Sequence, residues 1–270
     1  MKNVIKKKMQ TALFLGVLIA VMGGMSSPQS SMLGARGIAM GGSSIPTAKD
    51  YVQDGLVAMW DGIENAGWGL HDPNATVWKD LVGGGVATLP ANVAVVGDAI
   101  SFAGDATISY PISTVLASAL ASADMSLEMC LSILPYTLTS YRTMCETIGM
   151  DGNILIYTPR STTSAQQYVY YNYYGRANSA VAGVLDANGM FDGTLGLACS
   201  TSVMSGARYK NGELVNNATF PQTPTMTPTA LRSALMDGAK LRSVRFYSRA
   251  LTAAEIAANY AVDKARFNLP

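Results

Sequence analysis

The sequence predicts an all-β fold: a two-sheet antiparallel jelly-roll sandwich with a short C-terminal helix and an N-terminal hydrophobic segment. Two observations carry that expectation. Short apolar or alternating runs recur at near-regular spacing after residue 50, separated by Gly-Asp, Asp-Gly and Asn-containing turns, the pattern of strands joined by tight connections. The segment Ala207-Arg-Tyr-Lys-Asn-Gly-Glu-Leu-Val215 carries Asn211-Gly212 at its centre, the pair that supplies both positive-φ positions of a type I′ hairpin.

The front of the chain differs from the rest. Lys2, Lys6, Lys7 and Lys8 precede an almost wholly apolar run, residues 11–22, followed by Gly23-Gly24-Met25-Ser26-Ser27-Pro28. This is the order of a secretory signal, and the run is short for a membrane span of about 20 residues. Residues 1–25 therefore read as a signal-like segment or an uncleaved membrane anchor, the only membrane contact expected. No cysteine follows to take a lipid. Residues 26–50, rich in Ser, Gly, Ala and Met, read as a flexible linker, and residues 51–270 as one domain of ordinary size. The expected location is secreted or cell-surface.

Charged residues are scarce at 14%, and 19 Lys and Arg nearly balance 18 Asp and Glu. With four lysines in the leader, the body is slightly acidic, which argues against a nucleic-acid partner. The hydrophobic share of 49% argues against disorder. The three cysteines, Cys130, Cys145 and Cys199, form no C-x-x-C pair and lie far in sequence from His71, the one histidine. They read as buried thiols rather than zinc ligands.

Along the body, Gly55-Leu-Val-Ala-Met-Trp60 reads as a strand stopped by Asp61-Gly62. Further strands are expected over 93–96, 99–102, 106–110, 126–134, 142–148, 154–158, 168–174 and 194–200. A helix is expected over 113–122, where apolar residues recur at helical spacing. Residues 241–247 alternate, which groups Leu241, Ser243, Arg245 and Tyr247 on one face and Arg242, Val244 and Phe246 on the other. Thr252-Ala-Ala-Glu255 is a capping box, opening a helix to about residue 262 that presents Ile256 and Tyr260 on one side.

The closing stretch, Leu241-Arg-Ser-Val-Arg-Phe-Tyr-Ser-Arg-Ala-Leu-Thr-Ala-Ala-Glu-Ile256, resembles the end of concanavalin A-like, laminin-G-like domains of bacterial surface and phage proteins. The Tyr209-Lys-Asn-Gly-Glu-Leu-Val215 hairpin, Asp54-Gly-Leu-Val-Ala-Met-Trp60 and Trp78-Lys-Asp-Leu81 are similar to other parts of that family. Gly193-Thr-Leu-Gly-Leu-Ala198 departs from it where members carry Trp-His-His before a "V-A-x-T-Y-D-G" strand. The resemblance implies that the strand near 55–60 lies beside the strand near 241–247, and it allows calcium near the sheet rim without assigning ligands.

Chemistry is sparse. None of Glu64, Glu128, Glu146, Glu213 and Glu255 has an acidic residue two positions away, the spacing that would place paired glycosidase carboxylates on one strand face. His71 has no G-x-S-x-G nucleophile to serve and reads as a turn residue. Asp98, Asp105 and Asp151 with Asn153 fall in turns and build no EF-hand loop. The expectation is therefore a non-enzymatic module with no required cofactor, binding carbohydrate or another surface ligand. The alternatives are a structural or display domain with a protein partner, and, more weakly, a glycan-active enzyme.

The unusual feature is Tyr168-Val-Tyr-Tyr-Asn-Tyr-Tyr174. Alternation places Val169, Tyr171 and Tyr173 inward and Tyr168, Tyr170 and Tyr174 outward on an open, concave surface, with Asn172 between and Arg176 just beyond. Tyrosines suit flat sugar or protein surfaces, so the candidate binding residues are Tyr168, Tyr170, Asn172, Tyr174 and Arg176.

Overall fold

The computed structural model describes residues 45–134, 142–150, 154–158, 168–174, 176–186 and 189–270. The signal-like segment, most of the linker, Asp151 and Asn153 lie outside these. In chain order the strands are β1 (Leu56–Asp61), β2 (Val77–Lys79), β3 (Val86–Thr88), β4 (Val93–Val96), β5 (Ala99–Phe102), β6 (Ala106–Tyr110), β7 (Met125–Ile133), β8 (Arg142–Ile148), β9 (Leu155–Thr158), β10 (Tyr168–Tyr173), β11 (Arg176–Ala182), β12 (Phe191–Ser200), β13 (Ser205–Lys210), β14 (Glu213–Thr219), β15 (Ala230–Leu235) and β16 (Lys240–Tyr247). Helix α1 (Thr114–Ser122) lies between β6 and β7, and α2 (Ala253–Phe267) follows β16.

These strands make an all-β sandwich. The larger sheet runs β14-β13-β12-β7-β16-β5-β4, with β1 also paired to β16; the second runs β11-β10-β9-β8-β15-β6. All pairings are antiparallel, and β2 with β3 forms a small hairpin sheet. The inner faces share one apolar core, with Leu127, Met129, Leu197 and Phe246 from the larger sheet and Ile108, Met144, Ile156, Val169 and Leu231 from the other. Asn211 and Gly212 both take positive φ between β13 and β14, as the hairpin requires.

The ends of the domain close on each other as expected: β1 pairs antiparallel with β16, Leu56 opposite Tyr247 and Asp61 opposite Ser243. Two expectations need correction here. A bulge between Leu241 and Ser243 shifts the alternation, so Leu241 joins Val244 and Phe246 in the main core. The packed body also begins before residue 51. Thr47 and Asp50 form a capping box around a single 3-10 turn, Ala48 donates its N–H to Glu64 at 2.7 Å, and Ala48 and Tyr51 are buried.

Helix α2 covers the outer face of the larger sheet, beyond β12 and β14. Its capping box forms, with Thr252 Oγ1 accepting from the Glu255 N–H at 3.3 Å and Glu255 Oε2 accepting from the Thr252 N–H at 2.8 Å. Thr252→Ala is expected to lower stability by about 1 kcal/mol in chemical denaturation, with ligand binding unchanged. The helix runs on to Phe267, and its buried stripe is Ile256, Asn259, Asp263, Arg266 and Phe267, with Tyr260 only half-buried. That stripe is largely polar because of what it meets.

A buried ionic network lies under α2. Arg245, fully buried, donates from Nη1 and Nη2 to the two carboxylate oxygens of Asp263, both at 2.7 Å, and from Nη1 to Ser243 at 2.8 Å. Tyr51 Oη and Thr194 Oγ1 also donate to Asp263 at 2.7 Å. Glu128 lies 3.4 Å from Arg245 Nε and accepts from Asn259 Nδ2 at 2.6 Å. Asn259 Oδ1 accepts from the Val52 N–H at 2.8 Å. Alongside, Arg266 donates to Asp61 at 2.7 Å and to Glu64 at 3.4 Å. Burial pushes the Glu128 carboxyl up to about 7 against the pull of Arg245, and Asp61 up to about 6 against the pull of Arg266. The network ties the entry segment, β7, β12, β16 and the C-terminal helix into one unit.

Candidate functional site

Among the described residues, one face of the second sheet is left open. Along β6 and β15, Thr107, Ser109, Ala230, Arg232 and Ala234 are exposed or half-buried, while the alternating Ile108, Tyr110, Leu231, Ser233 and Leu235 are buried. No described helix packs on this open face: α1 packs against β1 and β7, and α2 against β12 and β14.

Register pairing brings residues from distant parts of the chain into rows across it. One row runs Ser109, Arg232, Glu146, Leu155, Asn172. The next runs Thr107, Ala234, Thr143, Tyr157, Tyr170, Ala180. Directly paired positions in an antiparallel sheet share a face and lie close enough for their side chains to interact. At the centre, Arg232 Nε and Nη2 both lie 2.7 Å from Glu146 Oε2, the arginine side chain 44% and the glutamate 18% exposed. The described part of the face therefore offers a guanidinium, a carboxylate and the hydroxyls of Thr107, Ser109 and Thr143, the mixed donor and acceptor set that polyhydroxylated ligands require.

The sequence-predicted residues fall as follows. Tyr168 and Tyr170 take β10 positions opposite Ala182 and Ala180, alternating with the buried Val169 and Tyr171; their side chains lie outside the described set. Asn172 is half-buried and in register with Leu155. Arg176 opens β11 opposite Tyr173, its side chain also outside the described set. Tyr173 is buried as expected.

Tyr174 is the correction. A register shift between Tyr171 and Tyr173 breaks the alternation, and Tyr174 turns through positive φ of 47° into the core. There it is fully buried, donates to the Leu120 carbonyl at 3.0 Å and packs 5.4 Å from the Phe220 ring. Arg232, Glu146 and Tyr157 escaped the sequence reading because only strand order and register place them in rows with β10 residues.

The other sequence candidates sit apart. His71 is exposed in its turn, Nδ1 at 2.7 Å from the Ile63 carbonyl. Asp98 pairs with Arg242 at 3.6 Å. Among the described residues no three or more His, Cys, Asp or Glu side chains gather as a metal site. Two carboxyls with raised pKa, Glu128 and Asp61, are closed off beneath α2 and serve packing; a third, Asp80, is raised by burial and accepts from the Met59 and Val82 N–H groups. All three cysteines are free and buried.

No protein-family model matches the chain, and no curated protein matches it. Solved structures match in shape. Trypanosoma rangeli sialidase in complex with sialic acid aligns with a TM-score of 0.58 at 15% identity, over 83% of this chain and 34% of that one. The fold is an antiparallel β-sandwich. A mutant of the same sialidase displaying trans-sialidase activity gives 0.55 at 14%, over 83% and 35%. The binding domain of Paraclostridial Mosquitocidal Protein 1 gives 0.57 at 10%, over 76% and 52%. The chain thus spans about a third of the length of the sialidases it matches. This overturns the expectation that the chain is not an enzyme. Its first structural matches are sialidases; at these identities the likeness establishes the fold and no particular reaction.

Proposed function

We propose that this domain recognises carbohydrate on the open face of the second sheet. Tyr168 and Tyr170 supply ring platforms, and Asn172 and Arg232 supply hydrogen bonds; Arg176, paired with the buried Tyr173, falls on the other face. The observation that carries the reading is the pairing of Tyr170 with Tyr157, one row from the solvent-accessible Arg232–Glu146 pair. Aromatic rings give a sugar's C–H face a large, rigid contact at low entropic cost, and neighbouring polar groups fix its orientation. The sialidase bound to sialic acid among its structural matches favours a glycan over a protein partner. The basic-then-apolar leader supports a secreted or cell-surface setting.

Binding to immobilised glycans, followed by calorimetry with the best ligand, tests the reading. Tyr170→Ala is expected to weaken binding about 10-fold or more, as truncation of a central aromatic contact does, with the melting temperature almost unchanged. Unchanged affinity, or unfolding, would move the site off this face. Release of sialic acid or another sugar from the same glycans would add turnover at this or another face.

A further inference from the structure

We propose that the space between the sheets beside Arg208 is a binding site for a small inorganic anion, of which chloride is the expected occupant. Arg208 lies in β13 opposite Leu197, a residue of the inter-sheet core, so its side chain enters the sandwich rather than the solvent. It is fully buried. Its Nη2 donates to Tyr173 Oη at 3.0 Å, while Nε and Nη1 have no acceptor. The hydroxyl of Tyr171, also fully buried, has no partner either. The guanidinium carbon sits 5.6 Å from the Tyr171 ring centroid and 5.4 Å from that of Tyr173. N–H and O–H donors with nothing to donate to therefore gather in one closed place.

The missing element is a negative charge. Arg232, Arg242, Arg245, Arg249 and Arg266 each lie within ion-pair distance of a carboxylate. Arg208 pairs with none among the described residues. The neighbouring Cys199 thiol is pushed up by burial, against the pull of Arg208, and Tyr171 is pushed up by burial as well, so both are neutral. Cation–π contact with two rings compensates part of the desolvation of a buried guanidinium, and the remainder is larger than that contact supplies. A water molecule would satisfy hydrogen bonds and leave the charge. An anion satisfies both.

Enclosure selects for size. At Gly206 an added Cβ would fall 2.6 Å from the Tyr173 ring, so that ring is seated tightly against β13. Its hydroxyl donates to the Ala218 carbonyl at 3.0 Å, which fixes the wall that holds Arg208. Packing this close disfavours a sugar acid, so the proposed occupant is a single halide ion. The site is separate from the open face proposed for glycan, on the inner side of the sandwich.

The test is thermal unfolding of the full chain at fixed pH and ionic strength, with chloride replaced stepwise by gluconate, which is too large to enter. The expected result is a saturable rise of several degrees in melting temperature with chloride. Tyr171→Phe should keep the fold and move half-saturation several-fold to higher chloride. Arg208→Met should abolish the dependence. A wild-type protein indifferent to chloride, or an Arg208→Met protein that keeps the full dependence, overturns the proposal. Should Arg208→Met fail to fold, crystals of the wild type soaked in bromide decide it: an anomalous peak within hydrogen-bonding distance of Arg208 supports the site, and its absence overturns it.

Discussion

Replacing Arg245 by methionine is expected to destabilise the protein by about 3–5 kcal/mol, the cost of breaking a buried ion pair from one side. Methionine fills much of the volume but leaves Asp263 and Glu128, both fully buried, without the guanidinium that sits between them. It also removes the stack on Tyr51, whose ring centroid lies 4.1 Å from the guanidinium carbon. Arg245→Lys should recover only part of the loss, because one ammonium cannot reproduce two parallel bonds to a carboxylate. Adding Asp263→Asn to Arg245→Met should restore some stability, since the second change removes one of the orphaned charges. Urea denaturation measures all three variants. A loss below about 1 kcal/mol for Arg245→Met would mean that the network does not hold α2 to the sheet.

Stability is expected to fall as pH rises through the window set by Glu128. Its folded pKa is about 7 against an ordinary 4.5, so between those values the folded chain keeps a proton that the unfolded chain has released. Each unit of such a shift is worth about 1.4 kcal/mol, so this one residue removes on the order of 3 kcal/mol between about pH 4.5 and 7. Asp61, raised from 3.8 to about 6, acts in the same sense at slightly lower pH. Glu255 is shifted the opposite way, held down to about 2 by Arg249 and the Thr252 cap; its contribution is present above about 4.5 and is lost as the pH falls toward 2. The melting temperature should therefore peak in mildly acidic solution. Glu128→Gln keeps the hydrogen-bonding shape without the charge, and should melt higher than wild type at about pH 8 with a flatter pH profile. A wild-type profile that rises from about pH 5 to 8 would refute this account.

Much of the sandwich was legible because its strands obey local rules. Val93–Val96, Ala99–Phe102 and Ala106–Tyr110 lie between Gly-Asp turns and coincide with the expected spans. What escaped was decided by distant partners. Ala230–Leu235 and Arg176–Ala182 are small or mixed in composition and become strands because neighbours on both sides, or one strong neighbour, complete their hydrogen bonds. Tyr174 defeated the alternation rule because a register shift intervenes, and Leu241 did so for the same reason. Arg208 and Arg245 look like solvent-facing charges in alternating strands; that both are fully buried depends on what the opposite sheet and α2 bring to them. The candidate face was half legible. The tyrosine run stands out in any reading, whereas Arg232 and Glu146 are 86 positions apart and meet only through the order of the sheet.

The position of β16 bears on how the protein is made. This strand lies inside the larger sheet, paired along one side with β7 and along the other with both β5 and β1, yet it is the last of the described strands in chain order. Until it leaves the ribosome, three strands made much earlier wait without their common neighbour, their apolar inner faces and hydrogen-bonding edges uncovered. Contacts of such long sequence separation form slowly, and strands left waiting in this way are prone to pair with other chains. The larger sheet is therefore completed late, when one strand joins β1, β5 and β7 together.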